Sequence, residues 1–413
     1  MTPAATSLKR ARTGVFGCFA TSGFVMGAWA AALPSVDARL SLGEARLGTV
    51  LLLIQVVGLA TMFLSGRIAD RITTRRLLQW IGPLTQLALV APALAPTYET
   101  LLAAAVVYGV GVSFVEVGTN AHSVEIERYY GRPIISSFHG FWSLGGAAAG
   151  ALTSFGLTMG LGSQAMLTIA GVACAAAFAA FARPLLPPPG RTAPGDDGAP
   201  AETKAARIGA GLLAAMFALG IAGHLIESGA IDWANLHAAR VLEADEALAP
   251  LSYTVFGCAM TVLRLAGDPI RARLGPGPTM FWAGSAATAG YALVLTSGAV
   301  GGLPLAWTGW VLAGCGIAII VPVLFSAIGE AGGSPSQIAL VSMSGGAGLL
   351  LGPAMIGYLA EGTNLTIGLL VPAALSVFTL AAGPITMRRL LHHPGGGGAP
   401  HEPVAAAAPR DGV

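Results

Sequence analysis

Apolar residues in this chain come in long, nearly uncharged runs rather than in narrow stripes. Runs of about 20 residues recur along its 413 positions, separated by short polar or Pro- and Gly-containing breaks. A run of that length crosses the hydrocarbon of a bilayer as a helix, which satisfies every peptide group within its own segment. The pattern predicts an all-α membrane protein with twelve transmembrane helices in two sets of six. The first set lies near 12–34, 46–65, 76–95, 99–122, 135–158 and 163–183. The second lies near 207–230, 248–266, 278–298, 302–326, 335–360 and 364–387. Residues 184–206, PLLPPPGRTAPGDDGAPAETKAA, are rich in Pro and Gly and read as a flexible linker between an N-terminal half, 1–183, and a C-terminal half, 207–388. Residues 389–413 lose their large apolar side chains and read as a disordered tail.

Composition agrees with the pattern. The chain is 54% hydrophobic and 10% charged, with a mean hydropathy of +0.71, where soluble domains carry about 25% charged residues. A net charge of +2 gives no footprint for nucleic acid. Where the charges fall is more informative. Twelve spans put both termini on one side, and 19 of the 22 basic residues fall there, leaving Arg39, Arg46 and Arg240 opposite. That asymmetry makes the side of the termini cytoplasmic. Lys9, Arg10 and Arg12 before an apolar run imitate a signal peptide, but with eleven further spans behind it the run reads as an uncleaved first helix. Cys18, Cys174, Cys258 and Cys315 stand far apart in apolar runs and read as small core residues. No nucleotide-binding loop, nucleophile constellation or metal cluster is present, which argues against an enzyme and against ATP-driven pumping.

The most charged stretch among the apolar segments is Gly66-Arg67-Ile68-Ala69-Asp70-Arg71-Ile72-Thr73-Thr74-Arg75-Arg76. One carboxylate and four guanidiniums cannot lie in hydrocarbon, so the stretch is expected to be a loop at a membrane face. A worn copy follows half a chain later, where Asp268 closes Arg264-x-x-x-Asp ahead of Arg271 and Arg273, 198 residues after Asp70. Pro133, Gly146 and Gly150 of the fifth span match Pro335, Gly348 and Gly352 of the eleventh, each 202 residues on. Trp29 matches Trp233 at an offset of 204. Three correspondences at nearly one offset indicate two parallel six-helix repeats, with a site expected near the midplane between them. The glycine pairs read as tight packing or as a seam on which the halves rock.

Ionisable and polar residues inside spans point to function, because their burial is costly. Glu116 lies in the fourth span with Ser113 and Asn120 at helical spacing, a polar stripe suited to proton coupling, substrate contact or a structural node. His139 enters the fifth span and can shuttle protons, bind substrate or sit hydrated. His224 and Glu227, spaced i,i+3 toward the outer end of the seventh span, are placed to pair, and the helix is expected to loosen at Asp232-Trp233. Trp29 and Trp233 read either as membrane-interface belt residues or as aromatic lids over a substrate. Glu125, Glu127, Arg128 and Arg132 form a charge cluster that reads as a structural latch.

The Gly66–Arg76 order resembles the signature loop between helices 2 and 3 of major facilitator superfamily transporters. The strings MGAWAAALPSVDARLSLGEARLGTVLL, GTNAHSVEIERYYGRPIISSFHGFWSLGG and IESGAIDWANLHAARVL, the last followed by RLAGDPIRARLG, resemble bacterial inner-membrane permeases of the YbjJ type, which are distantly similar to fucose permeases. The resemblance spans roughly residues 12 to 388. It implies a secondary transporter working by alternating access in a bacterial inner membrane, with a conformational latch at Gly66, Asp70, Arg71, Arg75 and Arg76 that favours the outward-open state, joined by Asp268 and Arg271 of the second copy. The substrate and proton pathway is expected at Trp29, Ser113, Glu116, Asn120, His139, His224, Glu227 and Trp233. The helix 4 acid of fucose-type proton symporters corresponds to Glu116, whereas no acid lies within the first span, a departure from the sugar symporters. The expectation is a monomer in the lipid bilayer, moving a small polar metabolite such as a sugar or polyol with the proton gradient and no cofactor. Proton-driven export of drugs or amphipathic metabolites, and a non-transporting sensor on a transporter fold, are the alternatives.

Overall fold

A computed structural model describes residues 5–130, 134–186, 208–331 and 335–392. Within these it is helical: α1 (Ala5–Leu40), α2 (Gly43–Ile72), α3 (Thr74–Leu87), α4 (Val90–Leu94), α5 (Tyr98–Tyr130), α6 (Ile135–Thr158) and α7 (Ser163–Ala182), then α8 (Ala210–Arg240), α9 (Leu251–Leu274), α10 (Pro276–Thr296), α11 (Gly302–Glu330), α12 (Pro335–Glu361), α13 (Leu365–Gly368) and α14 (Leu370–Leu391). The pairs α3–α4 and α13–α14 are each one apolar crossing with a local break, so the fourteen helices make twelve spans. Proline causes both breaks. Pro92 and Pro372 have no N–H for the carbonyls of Ala88 and Gly368 four residues earlier, and the helical runs lapse beside them, at Ala88–Leu89 and at Leu369.

The helices outrun the apolar segments at both ends. The expected loop at Gly66–Arg76 is not a loop: α2 stays helical through Ile72, and the chain turns only at Thr73, whose φ is 76°. A helix satisfies its own backbone, so it can carry charged residues out of the hydrocarbon without unwinding. The second copy behaves alike, since α9 remains helical to Leu274. Nor does α8 loosen at Asp232-Trp233; it runs unbroken to Arg240. The expected linker starts late as well. Leu185 and Leu186 are buried against Phe178 and Ile126, and the Leu186 amide donates to His122 Nε2 at 3.1 Å. The expected disordered tail also starts late, since α14 stays helical to Leu391, and residues 187–207 and 393–413 lie outside the described residues.

Contacts repeat between the two sets of spans. α1 packs on α6 as α8 packs on α12, α2 on α5 as α9 on α11, and α3 on α7 as α10 on α14. The two sets meet along α2·α12, α6·α9 and α1·α8. Glycine makes these approaches possible where lipid supplies no hydrophobic drive. A Cβ on Gly27 would sit 2.6 Å from the Gly146 Cα, and one on Gly357 2.8 Å from the Glu44 carbonyl. The glycine pairs singled out in the sequence do different jobs. Gly146 and Gly150 face Tyr253 and Thr254 of α9 across the seam, whereas Gly348 and Gly352 face α8 within their own half.

Candidate functional site in the central seam

Charge gathers where α6, α8 and α9 meet. Arg264, ten residues before the end of α9, donates from Nη2 to Glu227 Oε1 of α8 at 2.9 Å and from Nη1 to Ser143 Oγ of α6 at 2.8 Å. One guanidinium therefore joins both halves of the molecule. Its side chain and that of Glu227 keep 19% and 11% of their accessible surface, so the pair is mostly but not wholly enclosed. His139 lies one turn from Ser143 on α6, within electrostatic reach of both charges. Its ring is exposed and stands edge-on to Phe19 of α1, with centroids 5.1 Å apart. Tyr253 of α9 lies in the same field, which includes Glu227, Arg264 and Asp232.

Glu116 stands apart from this cluster, on α5. Leu101, Ala105 and Tyr108 of that helix line a cleft with Trp29 of α1, while Gly109 packs on Ile54 and Ser113 bonds Ser65 of α2 at 3.0 Å. With 3.6 residues per turn, Glu116 falls on the strip between those two faces and points to the middle of the molecule. It is exposed there, and its carboxyl has no hydrogen bond or ion pair among the described residues. Asn120 follows one turn later and donates from Nδ2 to the Glu116 backbone carbonyl at 2.9 Å. Ser113 is buried against α2, so the expected polar stripe narrows to Glu116 and Asn120.

The end of the bundle away from the termini is sealed. Arg240 at the end of α8 pairs with Asp37 of α1 and Glu44 of α2, and Ser35 donates to Glu246 at 2.6 Å. Glu361 of α12 accepts from the Ala45 amide at the start of α2 at 3.2 Å. Deeper in the same seam Asn235 donates to the Ala30 carbonyl at 2.9 Å and accepts from the Tyr253 amide at 3.0 Å. Pro34 explains why that carbonyl is available, because proline cannot make the helical bond back to residue 30. The central space is thus closed at this end, and Glu116 and His139 are exposed in a space open at the terminal end.

Other expected site residues lie elsewhere. His224 does not pair with Glu227; its Nδ1 bonds the Gly220 carbonyl at 2.8 Å and its ring packs by Gly345 of α12. Trp29 and Trp233 are buried, at 2% and 0% exposure, so neither is a membrane-belt residue. Trp29 fills the core of its own half, and Trp233 packs under the α2·α12 crossing at Gly357. Of the expected latch, Glu127 accepts from the Ile134 and Ile135 amides at 2.7 and 3.0 Å and so caps α6. Arg75 donates to the Arg183 carbonyl at 3.3 Å, and Arg271 pairs with Glu330 at 3.1 Å. Each of these holds one half to itself. Arg76 is exposed, and the Gly66, Asp70, Arg71, Arg128, Arg132 and Asp268 side chains lie outside the described residues. Arg264 was missed as a site residue because it reads in the sequence as the start of the second charged motif, although it lies within the expected span 248–266. Among the described residues no His, Cys, Asp or Glu group is placed to hold a metal ion.

Two six-span sets enclosing a polar centre that opens at one end make the architecture of a carrier. A family model described as Major Facilitator Superfamily matches residues 15–337. The chain belongs to the major facilitator superfamily. An uncharacterized transporter, y4wD, of Sinorhizobium fredii is 27% identical over 381 residues, covering 90% of this chain and 97% of the relative. The membrane protein MosC of Rhizobium meliloti is 29% identical over 369 residues, covering 88% and 87%. Among solved structures, the nucleoside transporter NupG superposes with a TM-score of 0.66 at 16% identity, covering 92% of this chain and 98% of that one. A bacterial homolog of the human lysosomal transporter Spinster, inward-facing and occupied, gives 0.66 at 13% identity, covering 92% and 96%. The chain is therefore a multi-pass membrane transporter of this superfamily, a class that takes small-molecule substrates across the bilayer.

Proposed function

We propose that this superfamily member is a proton-coupled carrier that moves a small polar metabolite of sugar or polyol size across a bacterial inner membrane by alternating access. The single observation behind this reading is Glu116. It is a carboxyl with no partner among the described residues, exposed in mid-helix on the face of α5 turned to the middle of the molecule. A carboxyl in such a place exchanges a proton when its surroundings alternate between water and closure, and Asn120 and His139 offer hydrogen bonds to a hydroxylated solute. The basic residues on the side of the termini support cytoplasmic termini, so the open end faces the cytoplasm. A fluorescent protein fused after Val413 is expected to mature and fluoresce in cells; a fused phosphatase active only in the periplasm would reverse the orientation.

The functional test is uptake by proteoliposomes under an imposed pH gradient, screened with labelled sugars, polyols and organic acids. Gradient-driven accumulation that Glu116→Gln loses, while keeping exchange of the same compound, is the expected result. A folded wild-type protein that drives no accumulation of any compound refutes the reading. Altered drug tolerance on deletion would then favour export, and an unaltered one a sensor.

A further inference from the structure

We infer that the transported metabolite is an organic anion, a polyhydroxylated carboxylic acid whose carboxylate is held by Arg264. The inference rests on the proposed transport function and deepens it. The guanidinium carries five N–H donors, and the structure commits Nη2 to Glu227 and Nη1 to Ser143. The rest of the fork remains to be used in a part of the molecule that keeps access to the central space.

An ion pair at this depth contributes little to stability. Bringing two charges out of water costs about as much as their attraction returns, and apolar side chains of the same volume would pack the seam as well. The structure also shows what a purely structural tie looks like at this seam. Asn235 spans the same two halves with neutral hydrogen bonds and is fully buried. The charged pair differs in being partly open and in carrying a fork shaped for a carboxylate. A neutral polyol would make no use of that charge.

Glu227 is then a placeholder. In the empty carrier it neutralises Arg264. When substrate arrives, its carboxylate takes the guanidinium and Glu227 takes up a proton, since two carboxylates cannot share one guanidinium in a low dielectric without one being neutralised. The local charge is zero before and after, and no bond other than the O–H of Glu227 is made. His139, Tyr253 and Ser143 face the same group. The hydroxyls of the substrate fall to Asn120 and His139, which is why a hydroxylated acid fits better than a plain fatty acid.

The test uses the full chain in proteoliposomes under a pH gradient, alkaline inside, with labelled gluconate and labelled sorbitol as probes. Gluconate is expected to accumulate and sorbitol not. Arg264→Gln should lower gluconate uptake by about tenfold or more, and Arg264→Lys should retain part of it, as expected for a lost charge-assisted contact. Should Arg264→Gln fail to fold, gluconate binding to Glu227→Gln decides. With the placeholder neutral, that variant is expected to bind gluconate more tightly than wild type and without the rise in affinity at lower pH that the wild type shows. Accumulation of sorbitol with no entry or competition by gluconate overturns the anion assignment and leaves the transport reading standing. Weaker gluconate binding by Glu227→Gln also overturns it. The absence of gradient-driven flux for any compound overturns the transport reading, and the anion assignment with it.

Discussion

Arg240 shows how much conformational weight one side chain can carry here. It ends α8 in the second half and reaches two carboxylates of the first, Asp37 and Glu44, so opening the sealed end must break both contacts. Partly exposed pairs of this kind contribute about 1 kcal/mol each, enough for a roughly fivefold change in a two-state population. Arg240→Ala should therefore raise labelling of a cysteine placed at Ala30 by an impermeant thiol reagent added from the sealed side; unchanged labelling would mean that Asn235 and Glu361 suffice to close it. At this scale the sequence was legible only in part. It marked Glu116, His139 and Glu227 as intramembrane polar groups, because a charge in an apolar run is visible locally. It paired Glu227 with His224 because i,i+3 neighbours are the only partners a linear chain displays. The actual partner, Arg264, is 37 residues away on another helix, and Asp37 lies 203 residues from Arg240. Such pairs follow from packing, which helical periodicity does not specify.

At the scale of elements, the seam between α6 and α9 is set by glycine. Gly146 leaves room for the Tyr253 hydroxyl from the opposite half, and a methyl group there would overlap it. Gly146→Ala should cost about 1 to 3 kcal/mol of stability or shift the halves. Tyr253→Phe in the same protein should recover most of the loss, read as melting temperature and uptake together. A double variant no better than Gly146→Ala would show that the close approach of α1 at Gly27, not Tyr253, sets the seam. The glycine spacing was plain in the sequence, but which pair makes the seam and which the tight packing within a half was not. Gly348 and Gly352 bind α8 inside their own half. One residue of offset turns a helix by about 100°, so a repeat aligned by eye can exchange one face for the next. The same limit applies at helix ends. Charges at Gly66–Arg76 marked where the hydrocarbon stops, and the helix simply continued beyond it to Ile72.

For the whole molecule, span number could be read from the apolar runs, because the bilayer imposes their length from outside the chain. The repeat could be read from the Pro and Gly correspondences, and the family from the resemblance of the Gly66–Arg76 order. Which end is closed could not, because closure is a relation between halves. The proposed carrier is sealed at one end by Arg240, Glu246 and Glu361, open at the other, and loaded through Glu116, Glu227 and Arg264. In the proposed carrier, solute and proton move together. The most direct measurement is the internal pH of proteoliposomes holding a pH-sensitive dye, with no gradient imposed, after substrate is added outside. Substrate-dependent acidification of the lumen by wild type, absent in Glu116→Gln although that variant still exchanges substrate, is the predicted result. Substrate entry without any change in internal pH, or acidification that Glu116→Gln leaves intact, would contradict it.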